Sequence, residues 1–460
     1  MTNTQIFFFK LFLINLILAY ATSTVFELAY KRLRYTQALD ISTNEDRFLE
    51  AKELHVLHED SKDYLVIDLS LGTPSQTFSV QIDTTTPVTW VPSATGKNLL
   101  NITATFNSTL SASAEDTNTT LEIEDEDGDV EGFVTYDNID IQGLKAENFP
   151  FVQVTEYDEN FQDHSEGKLG LGYRNEFGGD FSILQKLKDS GVIKNKIFAL
   201  SETKDSNGKL FIGDFPENTT QGYTFCNLTT SVGLDDFYRD SWICELSFYF
   251  IGEAQNFSQA NKIQGRVIFD SAYSYISAPK KYLSNFKKSY LHNNSAIDCY
   301  EVTQYDEVSH ICSLKQNATL DDVNSISFLL DGYSYTIDAE NLFEKVRDED
   351  NKYEFLIKFY DENDDVWSFG YPFFSQFLVV FDMESSRIGL KGGKVNDFSA
   401  EWKKWDENEG YLITDVQMKY LIYGASILGA IIFVFIIFII IHSIRRRRLE
   451  EHGPLIEDGH

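Results

Sequence analysis

Two short stretches of this chain carry the same chemical signature. Ser79-Val80-Gln81-Ile82-Asp83-Thr84 is echoed by Arg266-Val267-Ile268-Phe269-Asp270-Ser271. Each is an apolar strand-like run ending in Asp, followed at once by a hydroxyl residue. Each is also followed later by an apolar-Gly pair, Leu169-Gly170 and Phe369-Gly370, placed 87 and 100 residues beyond its aspartate. Two equivalent halves offering one carboxylate each predict two lobes whose aspartates meet at the junction, where ligands commonly lie. Carboxylates held about 3 Å apart cannot both ionise, so one keeps a proton and the other acts as a base. Such a pair activates a water while protonating a carbonyl oxygen. Glycoside hydrolysis also uses two carboxylates, but roughly 5–9.5 Å apart on dissimilar supports. The duplicated, symmetric pair favours the shared-proton design. From the repeat alone, two turn-forming aspartates remain an equal alternative.

The elements that must position these residues read as β. From Tyr64 onward the chain is built of short alternating or β-branched runs such as YLVIDLSL, FSVQID, VTWVPS, FVTYDNIDI, KLFIGD, RVIFD and FLVVFD, separated by Gly, Asn and Asp turns. FSILQKLKDSG and PKKYLSNFKKSYL are the clearest helical segments. Many strands with few helices predict an all-β sandwich or closed-barrel architecture. Residues 22–61 have a helical appearance, opening on the basic cluster Lys31, Arg32 and Arg34.

Composition narrows the function. With 43% hydrophobic and 14% aromatic residues the chain has ample core material, which excludes wholesale disorder. Thirty-nine basic against 71 acidic residues give a net charge of −32, so nucleic acid is not an expected partner. No His-Glu-x-x-His or paired Cys-x-x-Cys occurs among eight His and four Cys, and no metal or other cofactor is expected. The acidic run Glu124–Asp129 does not fit an EF-hand. With Gly128 at loop position six, Ile123 and Val134 would fall at positions one and twelve.

Both ends indicate the secretory pathway. Residues 1–21 read as a signal peptide, with Lys10, the apolar run Leu11 to Leu18 and the small-x-small site Ala19-Tyr20-Ala21. Residues 420–442 predict a transmembrane helix, the run from Tyr420 to Ile441 being free of charge. Arg445, Arg446, Arg447 and Arg448 follow, which predicts a type I single-pass protein with residues 443–460 in the cytosol. Residues 397–419 read as a polar stalk. Eight Asn-x-Ser/Thr sequons, at Asn101, Asn107, Asn118, Asn218, Asn227, Asn256, Asn293 and Asn317, fall in the predicted lumenal part. In the tail, Glu451-His452-Gly453-Pro454-Leu455-Ile456 fits an acidic dileucine signal. It predicts binding to a clathrin adaptor and delivery to an acidic endosomal, lysosomal or vacuolar compartment. The plasma membrane is the alternative.

Over residues 62–395 the sequence resembles the pepsin-like aspartic proteases. The likeness rests on Leu71-Gly72-Thr73-Pro74, Asp83-Thr84-Thr85 running on to Trp90-Val91-Pro92-Ser93, Glu166-Gly167-Lys168-Leu169-Gly170-Leu171-Gly172-Tyr173, Asp270-Ser271-Ala272, and Trp367-Ser368-Phe369-Gly370 with Val380-Phe381-Asp382. The resemblance implies a bilobal β fold with an extended cleft, an N-terminal lobe over 62–240 and a C-terminal lobe over 241–396. It implies endopeptidase action on protein or peptide substrates, a propeptide at 22–61 lying against the acidic cleft, and a monomer. Asp83 and Asp270 match the catalytic pair, Thr84 and Ser271 the hydroxyls that brace the two catalytic loops, and Trp90 the residue backing the flap.

Three departures point the other way. The glycine of the family's Asp-Thr/Ser-Gly motif is replaced by Thr85 and by Ala272, losing a residue that lets the loops approach closely. Aligning Gly128 and Gly132 with the flap glycines puts Asp125 where the family has Tyr. Tyr371 replaces an Asp after Gly370. Tyr371 reads as a structural change, while Thr85, Ala272 and Asp125 favour a second reading, a catalytically impaired homologue acting as a peptide- or protein-binding module. A structural surface glycoprotein is a third, but gives no reason for both aspartates and both hydroxyls. Four cysteines allow three pairings; the shortest loops are Cys226–Cys244 and Cys299–Cys312, and the usual partner of the residue that Cys312 resembles is missing.

Overall fold

The computed structural model describes residues 26–34 and 63–409, less 97–103, 125–127, 159–160, 162–164, 174–180, 203–206, 217–219, 230–239, 293, 305–306, 347–348 and 362–364. Among them the architecture is two large sheets with few and short helices. The alternating runs form the expected strands. In Gln76–Asp83 the second half is buried throughout, Val80 and Ile82 in the core and Gln81 and Asp83 at the buried junction.

The first sheet is continuous across the two sequence halves. Leu378–Asp382 and Arg387–Lys391 come from the second half, yet Leu378–Asp382 pairs antiparallel with Ile197–Glu202. The second sheet takes the remaining second-half strands, among them Ile243–Ile251, Asn261–Phe269 and Val366–Phe369. An aromatic cluster packs behind the join. Phe198 stacks on Phe381 with centroids 4.5 Å apart, and Trp242 meets Phe381 edge-on at 5.0 Å. Trp242 Nε1 donates to Leu171 O at 2.8 Å, so the buried indole has its partner.

Both expected helices are present. Ile183–Asp189 is capped by Ser182, whose Oγ accepts from Gln185 N, and ends near Gly191 at φ 70°. The run from Lys280 to Leu291 is a continuous short helical segment. The helical appearance of the N-terminal segment is corrected. Phe26–Arg34 is a strand, seated between Asn207–Ile212 and Asp63–Leu71, with Lys31 opposite Val66 and Arg34 opposite Asp63. Two strand edges offering a ladder override the local preference of FELAYKRLR. A polar helix, Ser399–Glu409, occupies the start of the segment read as a stalk. Cys226–Cys244 and Cys299–Cys312 are both bonded. The signal segment, the 420–442 span and the tail with Glu451, Leu455 and Ile456 lie outside the described residues. So do Asn101, Asn218 and Asn293. Asn118, Asn227, Asn256 and Asn317 are exposed and Asn107 is half-buried.

One buried side chain on the strand Glu307–Leu314 ties stability to pH. His310 is 1% exposed, and neither ring nitrogen has a hydrogen-bond partner among the described residues. Glu301 stands 3.9 Å from Nε2. Burial pushes the imidazole from 6.5 down to about 4, against the opposing pull of Glu301. The unfolded chain therefore binds this proton first. Its contribution is whole above pH 6.5 and is lost as pH falls from there to about 4, amounting to about 3 kcal/mol. Chemical denaturation of His310→Leu is expected to show a shallower loss of stability across that interval than the wild type.

Candidate active site

Asp83 ends the strand Gln76–Asp83, which runs parallel to Lys168–Gly170 with Gln81 opposite Lys168 and Asp83 opposite Gly170. Leu171 N donates to Asp83 O at 2.7 Å, and Gly172 N to Thr86 O at 2.8 Å. A Cβ on Gly170 would lie 2.5 Å from the Pro87 carbonyl carbon, so only glycine allows the loop after Asp83 to pass this closely.

The second half repeats the design. Asn261–Phe269 runs parallel to Val366–Phe369, and Asp270 N donates to Phe369 O at 3.0 Å. A Cβ on Gly370 would stand 2.4 Å from both Tyr273 O and Tyr275 O. The apolar-Gly pairs of the sequence repeat are thus the strands against which each aspartate loop is pressed. Tyr371, replacing the expected acid, opens the short helix Tyr371–Phe374 and donates its N–H to Tyr273 O.

The two loops are clamped to each other. Thr84 Oγ1 donates to Phe269 O at 2.7 Å and accepts from Ser271 N at 3.0 Å, while Ser271 Oγ donates to Ile82 O at 2.7 Å. All of these bonds are buried, where a hydroxyl left unpaired would cost about 1–3 kcal/mol. The residues predicted to brace the loops do so. Asp83 and Asp270 are 2% and 1% exposed at the ends of the clamped strands.

The expectation for the lost glycines is corrected. Thr85 keeps the backbone donor, its N–H reaching Asp83 Oδ1 at 2.7 Å, and adds its own hydroxyl at 2.6 Å. Thr86 N is a third donor at 3.3 Å. Ala272 N donates to Asp270 Oδ1 at 2.8 Å. Neither Thr85 nor Ala272 has a positive φ, so a Cβ costs no backbone strain there.

Sequence reasoning passed over one residue. Lys168, quoted above only as part of a motif, is 2% exposed, and its Nζ lies 3.3 Å from Asp83 Oδ2. The signal was available: a lysine directly before the apolar-Gly pair Leu169-Gly170 that the repeat sets against the Asp83 strand. Buried lysines are rare without a partner.

The flap is the hairpin of Glu115–Ile123 and Val130–Ile141, with Gly128 in its turn at φ 115°. Asp125 lies outside the described residues. Trp90 is fully buried behind the flap, edge-on to Tyr157 and Phe161 at 6.4 and 6.1 Å. Its Nε1 has no hydrogen-bond partner among the described residues.

Comparison with known proteins agrees with this geometry. The sequence pattern described as "Eukaryotic aspartyl protease" matches residues 64–392. The chain is 25% identical to renin-2 of Mus musculus over 337 residues, covering 70% of this chain and 78% of that protein. It is 26% identical to gastricsin of Cavia porcellus over 337 residues, covering 70% and 78%. Pregnancy-associated glycoprotein 1 of Sus scrofa is 26% identical over 340 residues, covering 70% and 79%. With more than half its length matched by the pattern, and both aspartates held on clamped, duplicated loops, the chain belongs to the eukaryotic aspartyl protease family of aspartic-type endopeptidases.

Proposed function

We propose that the protein hydrolyses peptide bonds of extended protein substrates at acid pH through water activated by Asp83 and Asp270. The reading is carried by the reciprocal clamp of Thr84 and Ser271, which has little purpose unless two carboxylates must be held in register. One carboxylate takes the proton of a water as its oxygen attacks the peptide carbonyl, and the protonated partner delivers its proton to the carbonyl oxygen. The tetrahedral diol then collapses: the C–N bond breaks, the leaving nitrogen takes a proton from one carboxyl, and a diol hydroxyl returns its proton to the other, so that the pair again holds one proton. No covalent enzyme intermediate forms. The test is whether the purified full-length protein, brought to acid pH, cleaves an unfolded protein and is blocked by pepstatin, a mimic of the tetrahedral state.

A second reading, a cleft that grips peptides without cutting them, is favoured by Lys168. Its ammonium lies 3.3 Å from Asp83 Oδ2, and a carboxylate beside a cation is a weaker base. Cleavage blocked by pepstatin rejects this reading.

The protein is further proposed to be a monomer anchored by the 420–442 helix, with its aspartates in an acidic lumen. The acid requirement of a singly protonated pair and the tail signal support one address. Changing Leu455 and Ile456 to Ala is expected to move most of the protein to the cell surface, read by surface biotinylation. An unchanged distribution removes the signal from this reading.

A further inference from the structure

We infer that Lys168 is a positioning residue for the aspartate pair, holding Asp83 as the carboxylate and so assigning the shared proton to Asp270. The inference deepens the proposed hydrolytic reading and rests on it for its kinetic consequence. Its structural basis is the set of donors around Asp83. Oδ1 accepts from Thr85 N, Thr85 Oγ1 and Thr86 N at 2.7, 2.6 and 3.3 Å, and Oδ2 faces the Lys168 ammonium at 3.3 Å. Every one of these neighbours donates. A protonated Asp83 would turn a donor of its own toward donors, which the geometry opposes. Lys168 in turn is buried, and a buried ammonium persists only beside a compensating charge.

The surroundings reinforce the assignment. Gln81 lies opposite Lys168 in register and, two residues before Asp83, on the same face of its strand. Its Oε1 is buried, with no hydrogen-bond partner among the described residues. An acceptor placed there suits a cation. Two further carboxylates belong to the elements around Asp83. Asp270 stands across the clamp, and Glu166, two residues before Lys168, accepts from Ser79 N at 2.8 Å. Thr84 and Trp90, from the loop and the neighbouring strand, carry no charge. Lys168 sets a cation against these carboxylates.

The division of labour follows. Asp83 is the base that takes the water proton, and Asp270 is the acid that protonates the carbonyl oxygen. Charge and protons balance, because the pair begins and ends the step with one proton. Two limbs of the pH profile belong to this pair jointly. On the acid side activity is lost when the carboxylate gains a proton, and on the alkaline side when the acid loses one. A nearby cation disfavours the first and favours the second, so Lys168 sets both limbs lower than they would otherwise be.

The experiment is the pH profile of kcat/KM for the full-length wild type, Lys168→Met and Lys168→Arg. Both limbs are expected to move up by about one pH unit or more in Lys168→Met, and to return close to wild type in Lys168→Arg. Unmoved limbs in an active Lys168→Met protein would overturn the inference, since a lysine that only fills space lowers the rate without shifting the profile. If the wild type cuts nothing, the hydrolytic reading has failed and the charge assignment is judged separately. Carbon-13 carboxyl NMR, with Asp83 identified by its loss in Asp83→Asn, follows that carboxyl through the same pH range. At a given acid pH its signal is expected to be that of a carboxylate in the wild type and to move toward that of the acid in Lys168→Met, and identical signals would refute the assignment. Should Lys168→Met fold poorly, the double variant Lys168→Met/Asp83→Asn, which removes both charges, is expected to recover the fold. No recovery would count against the pair.

Discussion

Asp270→Asn and Asp83→Asn are each expected to lower acid-dependent cleavage by about 10³-fold or more, the scale of losing one member of an acid–base pair. Their effects on the fold should differ. Asp270→Asn keeps an acceptor for the Ala272 amide and leaves the Thr84–Ser271 clamp intact. Asp83→Asn does the same for Thr85 but removes the carboxylate charge 3.3 Å from the Lys168 ammonium, which is 2% exposed. Breaking one side of a buried ion pair typically costs about 3–5 kcal/mol. Urea denaturation should therefore show Asp83→Asn well below both the wild type and Asp270→Asn. Equal stabilities would mean that the ion pair contributes nothing to the fold.

Gly370→Ala is expected to be the most damaging small substitution in the second half. Its new methyl would stand 2.4 Å from two carbonyl oxygens, Tyr273 O and Tyr275 O. Backbone cannot swing aside as a flexible side chain can, and the loop concerned is the one carrying Asp270. A loss of about 3 kcal/mol or more is expected, and the displaced loop should take activity with it. Gly143→Ala is the control for glycine substitution as such. Nothing lies within 4 Å of its added Cβ, and the residual cost there comes from φ 104° alone. A Gly370→Ala protein no less stable than Gly143→Ala would show that the loop is not pressed against Val366–Phe369 as described.

The site was legible in the sequence to the extent that it is repeated. An apolar run, Asp and a hydroxyl, followed by an apolar-Gly pair, encode a strand, a loop and the strand that pins it, and both copies fold that way. Thr84 and Ser271 could be assigned because their roles are reciprocal. Thr85 was misjudged because its volume is visible in sequence, whereas the hydrogen bond from its hydroxyl to Asp83 is not. Lys168 was missed for a different reason. Its partner lies 85 residues earlier, and only the parallel register of two strands brings them together. The segment opening on Lys31, Arg32 and Arg34 has a helical appearance in sequence, but for Phe26–Arg34 a place between two strands decides the conformation.

The central claim is that Asp83 and Asp270 act as one singly protonated unit on a peptide bond. Its most direct test is the rate of cleavage of an unfolded protein by the full-length wild type, followed from strongly acid to neutral pH with Asp270→Asn alongside. The account predicts a bell-shaped profile on the acid side of neutrality, abolished by pepstatin and by Asp270→Asn. Peptide binding that persists at every pH, unchanged in Asp270→Asn and with no cleavage by the wild type, would contradict it.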